Sequence, residues 1–217
     1  MNAPSPPPAD ERLLLERAAA GDGEAWQQLV HTYHARLRRM VSLRLDQRLR
    51  GRVDPSDVLQ DAYLEATERL ADYLTNPFLP FFLWLRLITG DRLARVHRYH
   101  LGTQARDASR ELSIFHGNMP EASSAALAAQ LLGSDKPPAD AAIKAEQFAL
   151  LQDALTRLDP LDREVLALRH FEQLTSPETA HVLDITTAAA AKRYFRAIQR
   201  LKDALAGGPG GLGEFTP

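Results

Sequence analysis

Three cations near the C-terminal end, Lys192, Arg193 and Arg196, have the types and spacing to read a nucleic acid. Arginine bonds the guanine edge with two parallel N–H donors, and lysine meets either a base or a phosphate. Ala188, Ala189 and Ala191 keep the surrounding surface slim enough for close approach. Ala190, Tyr194, Ala197, Ile198, Leu201 and Leu205 recur at helical spacing and form a stripe that docks on a domain. The three cations then point away from it. A short helix opening at Ser176-Pro177 and ending near Leu183 precedes this one, and only Leu183-Asp184-Ile185-Thr186 separates them. Residues 176–195 therefore have helix-turn-helix dimensions, with the basic helix placed for a DNA major groove. Asp184 stands where such turns usually carry glycine, and Ala190 where a branched side chain is usual. Taken alone, a basic helix is equally a solvated face, since arginine and lysine are good helix formers. The tight turn and the slim basic end favour DNA.

Two further sets deserve chemistry. Tyr73, Asn76, Phe78, Arg92, Arg95 and Arg98 mix rings and guanidinium groups around and after a turn containing Asn76-Pro77 and Pro80. Rings stack on unpaired bases while arginines hold phosphates, so this set suits single-stranded DNA. Phe81, Phe82, Trp84 and Leu85 are assigned to packing instead. The third set is Asp57, Gln60, Asp61, Leu64 and Glu68 on one helix face, which is either a solubilising surface or a dock for a basic helix.

These sets must be held by helices. Alternating β-branched runs are absent, and apolar residues recur at three and four, so the fold is expected to be all-α. A first helix starts near Asp10. A second runs from its cap Asp22 to about Leu45, with Trp26, Leu29, Val30, Tyr33, Leu37, Met40 and Val41 as its stripe. Asp54-Pro55 opens a third as cap and first-turn proline, with Leu59, Ala62, Tyr63, Ala66 and Leu70 inward. A fourth runs from Phe81 to about Tyr99. Four shorter helices follow after residue 140. The expected layout is a Pro-rich tail at 1–9, one helical domain at 10–100 and a flexible linker at 101–139 with a short helix at Ser123 to Leu132. A second helical domain at 140–206 and a Gly-rich tail at 207–217 complete it.

Composition narrows the function. The net charge of −2 conceals blocks: seven arginines against Asp46 from Arg36 to Arg52, six acids against Arg69 from Asp54 to Asp72, and five cations without an acid from Lys192 to Lys202. Such blocks suit separate partners, although each alone reads as a solvated helix face. Cysteine is absent, which excludes disulfides, thiolate metal sites and cysteine nucleophiles. His31 with His34, and His97 with His100, lack supporting carboxylates, so no metal or cofactor is expected. Without a Gly-rich phosphate loop or a Ser-His-Asp set, an enzyme is not expected either. The N-terminus lacks a signal-peptide pattern and no apolar run approaches the roughly 20 residues that span a bilayer, so a cytoplasmic protein without membrane insertion is expected.

Asp57-Val58-Leu59-Gln60-Asp61 resembles a signature of the first conserved domain of bacterial RNA polymerase sigma factors. Phe82-Leu83-Trp84-Leu85-Arg86 resembles the start of that domain's promoter-reading helix. Leu161-Asp162-Arg163-Glu164-Val165-Leu166, followed by the helix-turn-helix, resembles the second conserved domain. With two domains only, the chain is similar to the extracytoplasmic-function (ECF) class between Asp10 and Leu205. The resemblance implies that Asp57, Gln60, Asp61 and Leu64 bind the clamp coiled coil of core RNA polymerase. It implies that Tyr73, Asn76, Phe78, Arg92, Arg95 and Arg98 bind and melt the minus-ten element, including the non-template strand. It implies that Thr187, Lys192, Arg193 and Arg196 read the double-stranded minus-thirty-five element. An anti-sigma partner is typical of this class. The alternatives are a dimeric helix-turn-helix regulator acting without polymerase, and a helical protein–protein adaptor.

Overall fold

The computed structural model describes residues 9–101, 119–132 and 141–206, and among them every regular element is helical. The chain divides into two compact units, Met1–Pro120 and Glu121–Pro217. Both expected tails, apart from Ala9, which opens the first helix, and most of the expected linker lie outside the described residues.

The first unit is built from α1 (Ala9–Ala19), α2 (Gly23–Arg44), α3 (Pro55–Thr75) and α4 (Phe81–Leu101). Local chemistry fixes where each begins. Asp22 accepts from the amides of Glu24 and Ala25 at 3.0 and 3.1 Å, satisfying two donors that the first turn of α2 leaves open. Asp54 does the same for Ser56 at 2.7 Å, and Pro55 occupies a first-turn position where its missing N–H costs nothing. These bonds hold both capping carboxyls below the usual carboxylate range. The core is aromatic: Trp84 stacks on Tyr73 with centroids 4.5 Å apart, and Phe81 meets Trp26, Tyr33 and Tyr73 at 6.0–6.4 Å. The packing reading of Phe81, Phe82, Trp84 and Leu85 holds, since all four are buried.

Arg44 is buried, and its Nη1 donates to the Pro120 carbonyl at 2.9 Å. Met119 is buried in the same unit against Gly90, where a β-carbon would lie 2.2 Å from Met119 Cε. Residues 119–132 were expected within the linker with a short helix at Ser123 to Leu132; the helix is present at Ser124–Leu132, and the segment is packed rather than free. The reason is apolar burial: Met119, Ala122, Ala126, Leu127 and Ala128 are all removed from solvent. The short helix α5 (Ser124–Leu132) packs on α6 (Ala141–Arg157) and so belongs to the second unit.

The second unit continues with α7 (Pro160–Leu166), a wide π-type turn at Ala167–Phe171, α8 (Ser176–Leu183) and α9 (Thr187–Ala206). Asp159 caps α7 through the Leu161 amide at 2.9 Å. Thr175, one residue before the expected Ser176, caps α8. Its hydroxyl accepts from the Glu178 amide at 3.3 Å while Glu178 accepts from the Thr175 amide at 2.7 Å, a reciprocal capping box.

Candidate nucleic-acid interface

Three residues, Asp184 to Thr186, turn the chain from α8 into α9. Asp184 adopts φ 52° and ψ 46°, the left-handed conformation that glycine usually supplies and that aspartate tolerates. Ile185 N–H closes on the Ala180 carbonyl at 3.0 Å, and Thr186 Oγ1 accepts from the Ala189 amide at 3.1 Å to start α9. Ala190 is fully buried in a helix that packs on both α7 and α8, and its small side chain permits that close approach. The departures from the usual turn are therefore accommodated: the backbone takes the required shape with aspartate in place.

The N-terminal half of α9 then stands out from the unit. Thr187, Ala188, Ala189, Lys192 and Arg196 are exposed. Arg193 is not placed as expected. It turns back across the domain, where its Nη1 meets Asp162 Oδ1 of α7 at 3.3 Å, while Arg200 takes Asp162 Oδ2. The Asp162 side chain is 2 % exposed, and a carboxylate so desolvated holds any cation within reach. Arg193 thus fastens α9 to α7. Phe195 was missed: it is 72 % exposed between Lys192 and Arg196. The signal was available, because Phe195 falls outside the apolar stripe, and a large ring off the stripe must face water. Tyr194, on the stripe, instead packs beneath the Arg169 guanidinium, 5.3 Å from its centroid.

In the first unit, Asp57, Gln60, Asp61 and Leu64 follow one another at three, one and three residues and share one face of α3. Asp57 and Gln60 are exposed, as is Leu64 at 61 %. Asp61 is ion-paired with Arg92 of α4, and Glu65 with Arg95 at 2.5 Å. Two cations expected to stand free for DNA are therefore tied to the acidic helix beside them. They remain accessible at 34 % and 43 %. Both line an open cleft of about 520 Å³ together with Arg52, Asp57, Tyr99 and His100. Arg98 and Asn76 are exposed, and Phe78 is 47 % exposed.

Tyr73 must be corrected. It is buried at 6 % exposure, stacks on Trp84 and donates its hydroxyl to the Leu79 carbonyl at 2.9 Å. Burial pushes its phenol up to about 12. Its role is to close the turn onto the core, so it has no ring face to offer a base.

Two of the paired histidines are engaged within the fold. His34 Nδ1 lies 3.2 Å from the Tyr63 hydroxyl, and His97 Nε2 accepts from the Asp46 amide at 3.3 Å. Among the described residues no cluster of three or more potential metal ligands forms, and no helix is long and apolar enough to cross a membrane.

A helix-turn-helix in one helical unit and an acidic helix face in the other are the features expected of a DNA-binding transcription factor. The family model for sigma-70 region 4 matches residues 148–201, which hold the helix-turn-helix. The ECF RNA polymerase sigma factor SigD of Mycobacterium tuberculosis is 29% identical over 203 residues, covering 93% of this chain and 87% of that protein. The RNA polymerase sigma factor CnrH of Cupriavidus metallidurans is 29% identical over 194 residues, covering 88% and 92%. The solved structure of CnrH in complex with the cytosolic domain of CnrY shares the fold, with a TM-score of 0.54 at 23% identity over 92% of this chain and 99% of that one. Over most of its length the chain is similar to the ECF class of bacterial RNA polymerase sigma factors. It is a polymerase-binding factor for promoter-specific transcription initiation.

Proposed function

We propose that the two units divide promoter recognition between them and that α3 carries the contact to core polymerase. The single observation behind this division is that each unit exposes its own set of candidate contact residues, Asp57, Gln60 and Leu64 on α3 and Lys192 and Arg196 on α9. On α3, Asp57 and Gln60 are exposed around Leu64, a carboxylate and an amide beside an apolar knob. That chemistry suits the basic, amphipathic surface of a helical coiled coil, here the polymerase clamp. Asp61 joins them by sharing its carboxylate with Arg92.

On α9, Lys192 and Arg196 carry the minus-thirty-five reading, with Thr187 at the helix start for a phosphate or base edge. Phe195 joins them, since an exposed ring between two cations matches the methyl group that thymine displays in the major groove. Arg193 acts behind them by holding the helix. In the first unit, Phe78 and Asn76 at the turn face the melted non-template strand, and Arg92, Arg95 and Arg98 take the adjoining backbone.

An anti-sigma partner is part of this reading. Its support is the solved neighbour CnrH, captured with the cytosolic domain of CnrY. An open groove of about 250 Å³ lined by Trp26, Leu59, Tyr63 and Leu64 adjoins the acidic face, and a partner seated there would compete with polymerase for Leu64.

Run-off transcription with purified core polymerase and genomic fragments tests the reading. The wild-type protein should direct initiation. Asp61→Arg should lose core capture, and Arg196→Ala should retain core capture but bind its promoter more weakly, by about 1–3 kcal/mol. Failure of the wild-type protein to capture core, or undiminished promoter binding by Arg196→Ala, would refute it.

A further inference from the structure

Glu65 lies one turn beyond Asp61 on α3, and it is the anchor of a small network. Its Oε1 accepts from Arg69 Nη1 at 3.1 Å and its Oε2 from Arg95 Nη2 at 2.5 Å. The carboxylate is set back, 22 % exposed, while the two arginines are 52 % and 43 % exposed. Arg95 is fixed a second time, its Nε reaching the Asp91 carbonyl at 3.4 Å. Its Nη1 has no hydrogen-bond partner among the described residues, and its side chain lines the cleft that also holds Arg52, Arg92, Tyr99 and His100.

We propose that Glu65 is a positioning residue for promoter binding: from behind, it holds the Arg95 guanidinium in one pose at the mouth of this cleft. The proposal rests on the reading that Arg95 meets promoter DNA. Two effects of Glu65 oppose each other. Its negative charge repels phosphate, whereas its hydrogen bond removes the rotamer freedom that a long arginine would otherwise lose on binding DNA. The geometry decides between them. Both carboxylate oxygens are already neutralised by arginines, so the trio carries a net positive charge toward solvent, and the repulsion is screened at its source. The ordering effect is undiminished, because Arg95 is pinned at two nitrogens and presents the third. Asp61 and Arg92 repeat the arrangement one turn earlier, but Asp61 also faces the proposed polymerase contact, which leaves Glu65 as the cleaner test.

The test uses the full-length protein with core polymerase and a promoter fragment recovered in the run-off assay. Promoter affinity is measured for wild type, Glu65→Ala, Glu65→Gln, Arg95→Ala and the double variant Glu65→Ala with Arg95→Ala, with core affinity and thermal melting followed alongside. Glu65→Ala should weaken promoter affinity by roughly threefold to tenfold although it removes a negative charge. Glu65→Gln, whose amide oxygen still accepts from Arg95, should stay within about twofold of wild type. In the Arg95→Ala background, Glu65→Ala should change nothing further, and core affinity should be unchanged throughout. Unchanged or tighter promoter binding by Glu65→Ala, beside a weakened Arg95→Ala, would overturn the positioning role and leave the reading of Arg95 intact. An Arg95→Ala variant that binds like wild type would overturn both.

Discussion

Removing both arginines that hold Asp162 should destabilise the second unit by far more than the two single losses combined. The structure sets the magnitudes. Asp162 is 2 % exposed and each oxygen has its own partner, Arg193 on one and Arg200 on the other. Arg193→Ala leaves Oδ2 satisfied, so it costs one charge-assisted bond to a donor 36 % exposed, about 0.5–1 kcal/mol. Arg200→Ala, whose donor is 56 % exposed, should cost a similar or smaller amount. With both gone, a desolvated carboxylate has lost both of its guanidinium partners, a situation that costs about 3–5 kcal/mol. The coupling in the double-mutant cycle should therefore reach at least about 1–2 kcal/mol. Asp162→Ala should be milder than the double variant, because both half-exposed guanidinium groups can swing into water. Trp26 and Trp84 both lie in the first unit, so tryptophan fluorescence would miss the change. Amide exchange of α7 and α9 in a urea series reports it directly. Additive losses, or a double variant as stable as Asp162→Ala, would refute the idea that one buried carboxylate fastens the recognition helix.

Tyr73→Phe should cost about 1–2 kcal/mol by leaving the buried Leu79 carbonyl without its donor, read as a lower urea midpoint in Trp84 fluorescence. Promoter melting by the holoenzyme should be unaffected, and impaired melting with unchanged stability would return Tyr73 to the DNA. Gly90→Ala should destabilise the first unit by about 1 kcal/mol, since the strain of displacing Met119 outweighs the gain in helix propensity. Adding it to Met119→Ala should cost nothing more, and equal losses in both backgrounds would rule the contact out. Lowering the pH should weaken the first unit through His97. Burial holds its pKa below the 6.5 of the unfolded chain, so protons bind the unfolded form first. The urea midpoint should be flat above about pH 6.5 and fall as pH drops below it, and His97→Gln should flatten that fall. An unchanged slope in the variant would assign the pH response elsewhere.

Much of the architecture was legible because it rests on short-range chemistry. Asp22 and Asp54 announce their helices by type and position, and their side chains cap as expected. The stripe from Ala190 to Leu205 places α9 against its unit before any contact is known, and Ala190, Ala197, Leu201 and Leu205 are buried. Tyr73 was legible and misread. The inward series Leu59, Ala62, Ala66 and Leu70 runs on by three to Tyr73, and helical periodicity outweighs the habit of assigning turn aromatics to ligands. The wide turn at Ala167–Phe171 has no local signal of comparable strength. Nor do the bonds to Asp162, whose partners lie 31 and 38 residues away. Such pairs depend on how two helices cross, which spacing within either helix does not encode.

The blocks of like charge mislead for the same reason. Read along the chain, the acids from Asp54 to Asp72 and the set holding Arg92, Arg95 and Arg98 look like two surfaces for two partners. In the fold α3 lies against α4, and Asp61 and Glu65 meet Arg92 and Arg95, so part of each block is spent on the other. The exposed groups of these helices that take no part in that pairing include Asp57, Gln60 and Leu64 on one helix and Arg98 at the end of the next. The second unit behaves alike, since Asp162 takes Arg193 and Arg200 and leaves Lys192 and Arg196 outward. A charge that has an internal partner is held in one pose and offers only its remaining donors or acceptors, and a charge without one is wholly free to meet polymerase or DNA. By that criterion the recognition face of α9 is narrower than its sequence suggests, two cations rather than three, with Phe195 set between them.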